Sequence, residues 1–164
     1  MLIRIAEPND AAQLVNLIQQ VENSNFMLFE PGERTLSVEQ QKKRIESMKE
    51  EKSSTILIAE DNGIVVGYLV VIGGNPNRAK HSVYLVIGIE ENYRGKGIGA
   101  KLFTKLDEWA RDQYIHRLEL TVMVHNKAAT ALYEKMGFEI EGTKRHSLFI
   151  DGKYIDEYYM SKLI

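Results

Sequence analysis

Cysteine is absent from the 164 residues. Disulfides, zinc–thiolate sites and a cysteine nucleophile are thereby excluded, and the absence fits a reducing compartment. No Pro/Gly/Ser run marks a linker, and no internal repeat or low-complexity segment occurs. Neither sign of charge dominates: 21 Lys and Arg stand against 23 Asp and Glu, a net charge of −2. That argues against a broad electrostatic footprint for nucleic acid and leaves only a local patch. Long apolar runs are missing as well. The longest, Ile64 to Ile72, contains Gly67 and is too short to span a bilayer. Met1 to Ile5 alternates and soon meets Glu7, so it does not read as a signal peptide. The expectation is a soluble cytoplasmic protein with no membrane or nucleic-acid partner. What remains is a globular composition, 44% hydrophobic and 27% charged, which excludes a disordered chain, a collagen-like repeat and a coiled coil. A single domain over residues 1–164 is expected.

Leu2, Ile3 and Ile5 predict a short first strand. Ala11, Leu14, Val15, Leu17, Ile18 and Val21 recur at helical spacing to about Glu22. Ser24 to Leu36 has no period and reads as a loop. Ser37-Val38-Glu39-Gln40 is a capping-box pattern opening a polar helix to about Glu51. Thr55 to Glu60 and Ile64 to Gly73 read as strands around an Asn62-Gly63 hairpin turn, and Ser82 to Ile89 as another strand. Ile98, Leu102, Leu106, Trp109 and Ala110 form one face of a long helix. A strand from Leu118 to Val124, a short helix from Asn126 to Met136 and a final strand pair around Asp151-Gly152 complete the chain. The order β-α-α-β-β-β-α-β-α-β-β predicts a mixed α+β fold around one sheet, not a doubly wound parallel one.

The sharpest feature is Arg94-Gly95-Lys96-Gly97-Ile98-Gly99-Ala100, between an apolar strand and the long helix. The first N–H groups of a helix lack intrahelical partners, the helix dipole makes that end positive, and glycines let an anion touch the backbone. Together they make a phosphate cradle. A dinucleotide site competes, since Gly95, Gly97 and Ala100 satisfy G-x-G-x-x-A. Against it, five residues separate the strand from Gly95, and no acid ends the next strand. A Walker loop fails for want of Gly-Lys-Ser/Thr.

The loop resembles the Gln/Arg-x-x-Gly-x-Gly/Ala motif of the GNAT N-acetyltransferases, filled by Arg94, Gly97 and Gly99. Asn126 to Phe138 resembles the second GNAT signature, N-x-x-A-x-x-x-Y-x-x-x-G-F. The resemblance covers nearly the whole chain, with Ser24 to Lys52 as the family's variable region. It implies a mostly antiparallel twisted sheet of about seven strands flanked by about four helices. It further implies transfer of an acetyl group from acetyl-CoA to a primary amine by direct attack. The pyrophosphate would lie on Gly95, Lys96, Gly97, Ile98, Gly99 and Ala100 with Arg94. The pantetheine arm would run along Ile87, Gly88 and Ile89 like an added strand, and an N–H near Ile89 would polarise the acetyl carbonyl. Asn126 would contact the cofactor besides capping its helix. Tyr133 would sit near the sulfur as general acid; by spacing alone it also fits a core position.

An alkyl amine with a pKa near 10.4 must lose a proton before it attacks. The two positions where GNAT enzymes carry a glutamate base correspond here to Thr121 and Tyr84. Glu30, in the variable loop, is the candidate for base or for binding a cationic acceptor, with a solvated loop acid as the bland alternative. Glu90, Glu91 and Glu119, and the lone histidines His81, His125 and His146, carry less support. With no cysteine and no cluster of His, Asp and Glu at ligand spacing, no metal is expected. The acceptor stays open between a small molecule (an amino acid or polyamine) and a protein or ribosomal-protein N-terminus. A non-catalytic acyl-CoA-binding module is the remaining alternative. Tyr154, Tyr158 and Tyr159 suggest a homodimer interface. Valine at Gly97 or Gly99 is expected to fill the cradle and weaken CoA binding.

Overall fold

The computed structural model describes residues 1–164. The predicted element order holds. Strand β1 (Leu2–Ile5) precedes helices α1 (Ala11–Glu22) and α2 (Val38–Glu50), then strands β2 (Thr55–Asp61), β3 (Ile64–Gly73) and β4 (Ser82–Ile89). Helix α3 (Ile98–Asp112), strand β5 (Arg117–Met123), helix α4 (Lys127–Lys135) and strands β6 (Glu139–Ile150) and β7 (Lys153–Leu163) follow. All seven strands form one sheet in the order β1-β2-β3-β4-β5-β7-β6. Every neighbouring pair is antiparallel except β4 and β5, which run parallel.

Two cores lie on opposite faces. On one, Leu57, Leu69, Val83 and Leu85 of β2–β4 pack with Leu118, Leu120, Val122 and Met160 of β5 and β7 beneath Leu102, Phe103 and Leu106 of α3. On the other, Ile56, Ile58, Tyr68 and Val70 meet Leu14, Leu17, Ile18 and Val21 of α1 and Ile45 of α2. Burial on both faces is why β2 and β3 read as unbroken apolar runs. Each fully buried side chain contributes about 1.5–3 kcal/mol. No residue of β5, β6 or β7 belongs to the second core. The face of those strands that carries Glu119 and Thr121 has no helix over it, and β5 alternates accordingly.

Local differences from the sequence expectations are small. Only the serine half of the predicted capping box forms: Ser37 Oγ accepts from the Gln40 N–H at 3.3 Å. Phe103, not singled out by the helical face, is fully buried because three aromatic rings (Phe103, Tyr133 and Phe138) meet under α3 and α4. No helix is long and apolar enough to cross a membrane.

Candidate active site

The one parallel pairing positions the site. β4 pairs with β3 from Val83 to Ile89, but with β5 only from Ser82 to Tyr84. Beyond Tyr84 the strands part, and the β4 edge from Leu85 to Ile89 is left without a partner strand. An unpaired strand edge is a row of donors and acceptors ready for an extended ligand. Gly88 lies on it for a steric reason: a Cβ there would come within 2.5 Å of the Tyr68 ring, which passes beneath.

The glycine loop closes the end of this edge. Gly95 and Gly97 have φ of +73° and +80°, a region that costs other residues about 1–2 kcal/mol. Neither has any atom within 4 Å of where a Cβ would stand, so the concavity before α3 is open. Ser37 and Asn126 cap α2 and α4 through their side chains; α3 starts at Gly97 with no such cap. Its first internal bond is Lys101 N–H to the Gly97 carbonyl, at 3.2 Å. The N–H groups of Ile98, Gly99 and Ala100 are therefore free to hold an anion. Ile98 itself is 2% exposed, so only its backbone can serve. Arg94 Nε donates to the Ile89 carbonyl at 3.2 Å, tying loop to strand edge. Lys96 Nζ stands 4.9 Å from the centre of the Tyr93 ring. At Gly99 a Cβ would meet Leu132 Cδ2 at 2.6 Å, so a larger residue here must displace that side chain where α3 meets α4.

Tyr133 is 7% exposed, its ring edge-on to Phe103 at 5.7 Å. It is thus a core residue, but its hydroxyl has no hydrogen-bond partner in the chain. Burial pushes the phenol well above its usual range, and the nearby Tyr84 adds to the effect. Its proton is retained at every physiological pH, as a proton donor requires. Asn126 caps α4, its Oδ1 accepting from the Ala129 N–H at 3.3 Å.

On the face opposite α3, Tyr84 and Thr121, the two positions without the family's glutamate, hydrogen-bond to each other at 2.8 Å where the strands part. They line a recess of about 330 Å³ with Arg117, Glu119, Glu141 and Tyr159. Arg117 pairs with Glu119 at 2.8 Å and Glu141 at 2.6 Å, and holds the Glu141 carboxyl below its usual range. Glu119 is thereby committed to an ion pair. Glu90 is committed to its own turn, accepting from the Asn92 N–H at 3.0 Å. Glu30 is exposed on a turn closed by the Glu33 N–H to its carbonyl, and its side chain makes no ion pair. The loop carrying it reaches the gap, since the Phe26 and His125 rings are 5.3 Å apart. His146 stacks on Tyr154 at 4.9 Å and His81 lies 6.3 Å from His116, both away from the strand gap. No three His, Asp or Glu side chains converge to hold a metal.

The structure adds a pair that the sequence pattern alone does not single out. Glu22 is 3% exposed and accepts from Arg34 Nε at 2.6 Å, pinning the loop onto α1. The signal was present: Glu22 falls four residues after Ile18, on the apolar face of α1, where a charge needs a partner.

The site thus combines a free strand edge, an uncapped glycine-flanked helix start and a buried tyrosine. Residues 18–138 match the Acetyltransferase (GNAT) family, and the chain belongs to it. It is similar to an acetyltransferase of the GNAT family from Streptococcus pneumoniae, with 35% identity, a TM-score of 0.95 and coverage of 99% of this chain and 98% of that one. The ribosomal-protein-alanine N-acetyltransferase of Brucella melitensis is 30% identical over the whole of both chains, with a TM-score of 0.88. An L-amino acid N-acetyltransferase, AaaT of Escherichia coli (strain K12), is 34% identical over 111 residues, 65% of this chain and 67% of that protein. The protein is an N-acetyltransferase, and acetyl-CoA is its acetyl donor.

Proposed function

We propose that the enzyme acetylates the primary amine of a small molecule, an amino acid or polyamine, by direct attack. The observation that carries this is the pairing of an open strand edge with an uncapped helix start, and a buried phenol that keeps its proton supports it. In this reading the backbone of Gly95, Lys96, Gly97, Ile98, Gly99 and Ala100, with the Arg94 side chain, holds the diphosphate. Ile87, Gly88 and Ile89 align the pantetheine arm, and Asn126 contacts the donor from the start of α4. The bound thioester supplies the acetyl group. Tyr133 Oη holds the proton needed by the departing sulfur. Glu30, unpaired on the loop that reaches the gap, takes the proton from the acceptor amine.

Similarity to AaaT, an L-amino acid N-acetyltransferase, favours an amino acid, and similarity to the Brucella enzyme favours a ribosomal-protein alanine. Release of free CoA, followed against amino acids, polyamines, aminoglycosides and N-terminal peptides, separates them. Turnover of free amino acids or polyamines supports the reading; turnover of N-terminal peptides alone overturns it. Tight acetyl-CoA binding without turnover on any amine would instead indicate an acyl-CoA-binding module. The reading places the enzyme in the cytoplasm, which the lack of cysteine fits. It also includes a homodimer through the β6–β7 hairpin, where Phe149 and Tyr154 are 61% and 63% exposed. Sedimentation at micromolar concentration tests the dimer.

A further inference from the structure

Tyr68 has no part in the chemistry so far. It stands on β3 opposite Gly88 of β4 and belongs to the core beneath α1 and α2. Its ring leans across β4. The three atoms nearest to where a Gly88 Cβ would stand are Cε1, Cζ and Oη, at 2.5, 2.5 and 2.6 Å. The hydroxyl end of a side chain rooted on β3 therefore lies under β4, whose other side is the free edge. Tyr68 is 2% exposed, and its hydroxyl bonds to no other group of the chain. Nor is that hydroxyl sealed, for the fully enclosed polar side-chain atoms without a partner are Gln41 Nε2 and Asp107 Oδ1. Phenylalanine would fill the same core volume. A hydroxyl kept here, unbonded yet open, is a donor free for a ligand.

The backbone above the ring supplies matching donors. The Glu90 N–H bonds to the Val66 carbonyl of β3 at 2.9 Å. Strand alternation turns the Gly88 N–H to that same side, and the N–H groups of Ile87 and Ile89 to the free edge. The Ile89 carbonyl, bonded by Arg94 Nε, points the same way. Gly88 lies between these two edge N–H groups, with the phenol beneath it. Backbone N–H and phenol O–H thus meet on one stretch of the edge, the first in the plane of the sheet and the second from below. Two such donors suit an oxygen that gains negative charge during a reaction. Burial holds the phenol above its usual range, with the charge of Glu22 adding to this and that of Arg34 opposing it, so the proton stays available to donate.

We propose that Tyr68 Oη, together with an edge N–H of β4, hydrogen-bonds the thioester oxygen and stabilises the oxyanion that forms as the amine attacks. The amine nitrogen bonds to the acyl carbon and the carbonyl π pair moves to the oxygen. That pair returns as the C–S bond breaks. The amine proton passes to the base and the departing sulfur takes one from Tyr133, while Tyr68 keeps its own throughout. This rests on the alignment of the pantetheine arm along β4 proposed above. The test is Tyr68→Phe, which removes no hydrogen bond within the chain. Infrared difference spectra of acetyl-CoA, isotope-labelled at the carbonyl carbon and bound to each protein, read the polarisation directly. The carbonyl stretch should fall below its value in water on the wild-type enzyme and move back up on the variant. With the amine that releases CoA fastest, kcat should drop about 100-fold, while Tm and the acetyl-CoA Kd stay unchanged. A wild-type kcat, or a lowered stretch that Tyr68→Phe leaves in place, overturns the role of Tyr68 and spares the alignment of the arm. A stretch at its solution value on the wild-type enzyme overturns the alignment and the role with it.

Discussion

The two sides of the gap between β4 and β5 are built from different materials. The donor side is backbone: a free strand edge, three unpaired N–H groups and glycines that keep side chains away. The acceptor side is side chains: Glu22 on Arg34, Phe26 on His125, Tyr84 on Thr121, each contact joining residues far apart in sequence or on different elements. A backbone site constrains residue type at fixed spacing, because only glycine fits and only a helix start has free N–H groups. A side-chain site can be assembled from any elements that the fold brings together. In the proposed reading the donor side is thus the part a family shares, and the acceptor side the part that sets the substrate.

Four substitutions sharpen or break this contrast. The largest effect is expected for Tyr133→Phe, where loss of a proton donor should lower kcat about 100-fold with CoA affinity and Tm nearly unchanged, since the hydroxyl has no partner. A mutant with wild-type kcat would return Tyr133 to the core alone. The raised phenol pKa carries a sign: the proton stays bound past pH 10, so kcat should rise as the amine deprotonates and show no alkaline fall below about pH 10. Next, Gly99→Val should act as an overpacked contact with Leu132, costing about 1–3 kcal/mol in a denaturant titration. A loss of CoA binding without loss of stability would contradict that assignment. Gly97→Val should leave the core intact and raise the CoA Kd about tenfold through a strained left-handed position, read by calorimetry. The smallest effect belongs to Tyr84→Phe, which removes one hydrogen bond worth about 1 kcal/mol; the acceptor KM should move a few-fold while the CoA Kd stays constant. Equal changes in both would mean that the two sides are not separate.

What could be read from the sequence follows the same division. The element order was legible because the periods of α1 and α3, the Asn62-Gly63 turn and the Asn126 cap are local signals. The uncapped, glycine-flanked start of α3 was legible from Arg94 to Ala100 for the reason just given. The parting of β4 and β5 beyond Tyr84 was not, since register between strands separated by a helix is decided by packing. The contact behind Gly99 was not legible either, because its neighbour, Leu132, lies 33 residues away. The Glu22–Arg34 pair escaped because a single charge at the end of an apolar face reads as solvated until its partner is placed.

The core under α3 has a mechanical consequence. Leu57 of β2 and Met160 of β7 belong to one continuous cluster that runs beneath the place where the sheet opens. The opening is a notch in one body, not a seam between two lobes. Heat should therefore melt both flanks together, with Trp109 fluorescence and far-ultraviolet dichroism tracing one transition. Saturating CoA, at 100 times its Kd, should move that transition as a whole by about 2.7 kcal/mol of added stability, so a ligand gripped at a rim would stiffen strands it never touches.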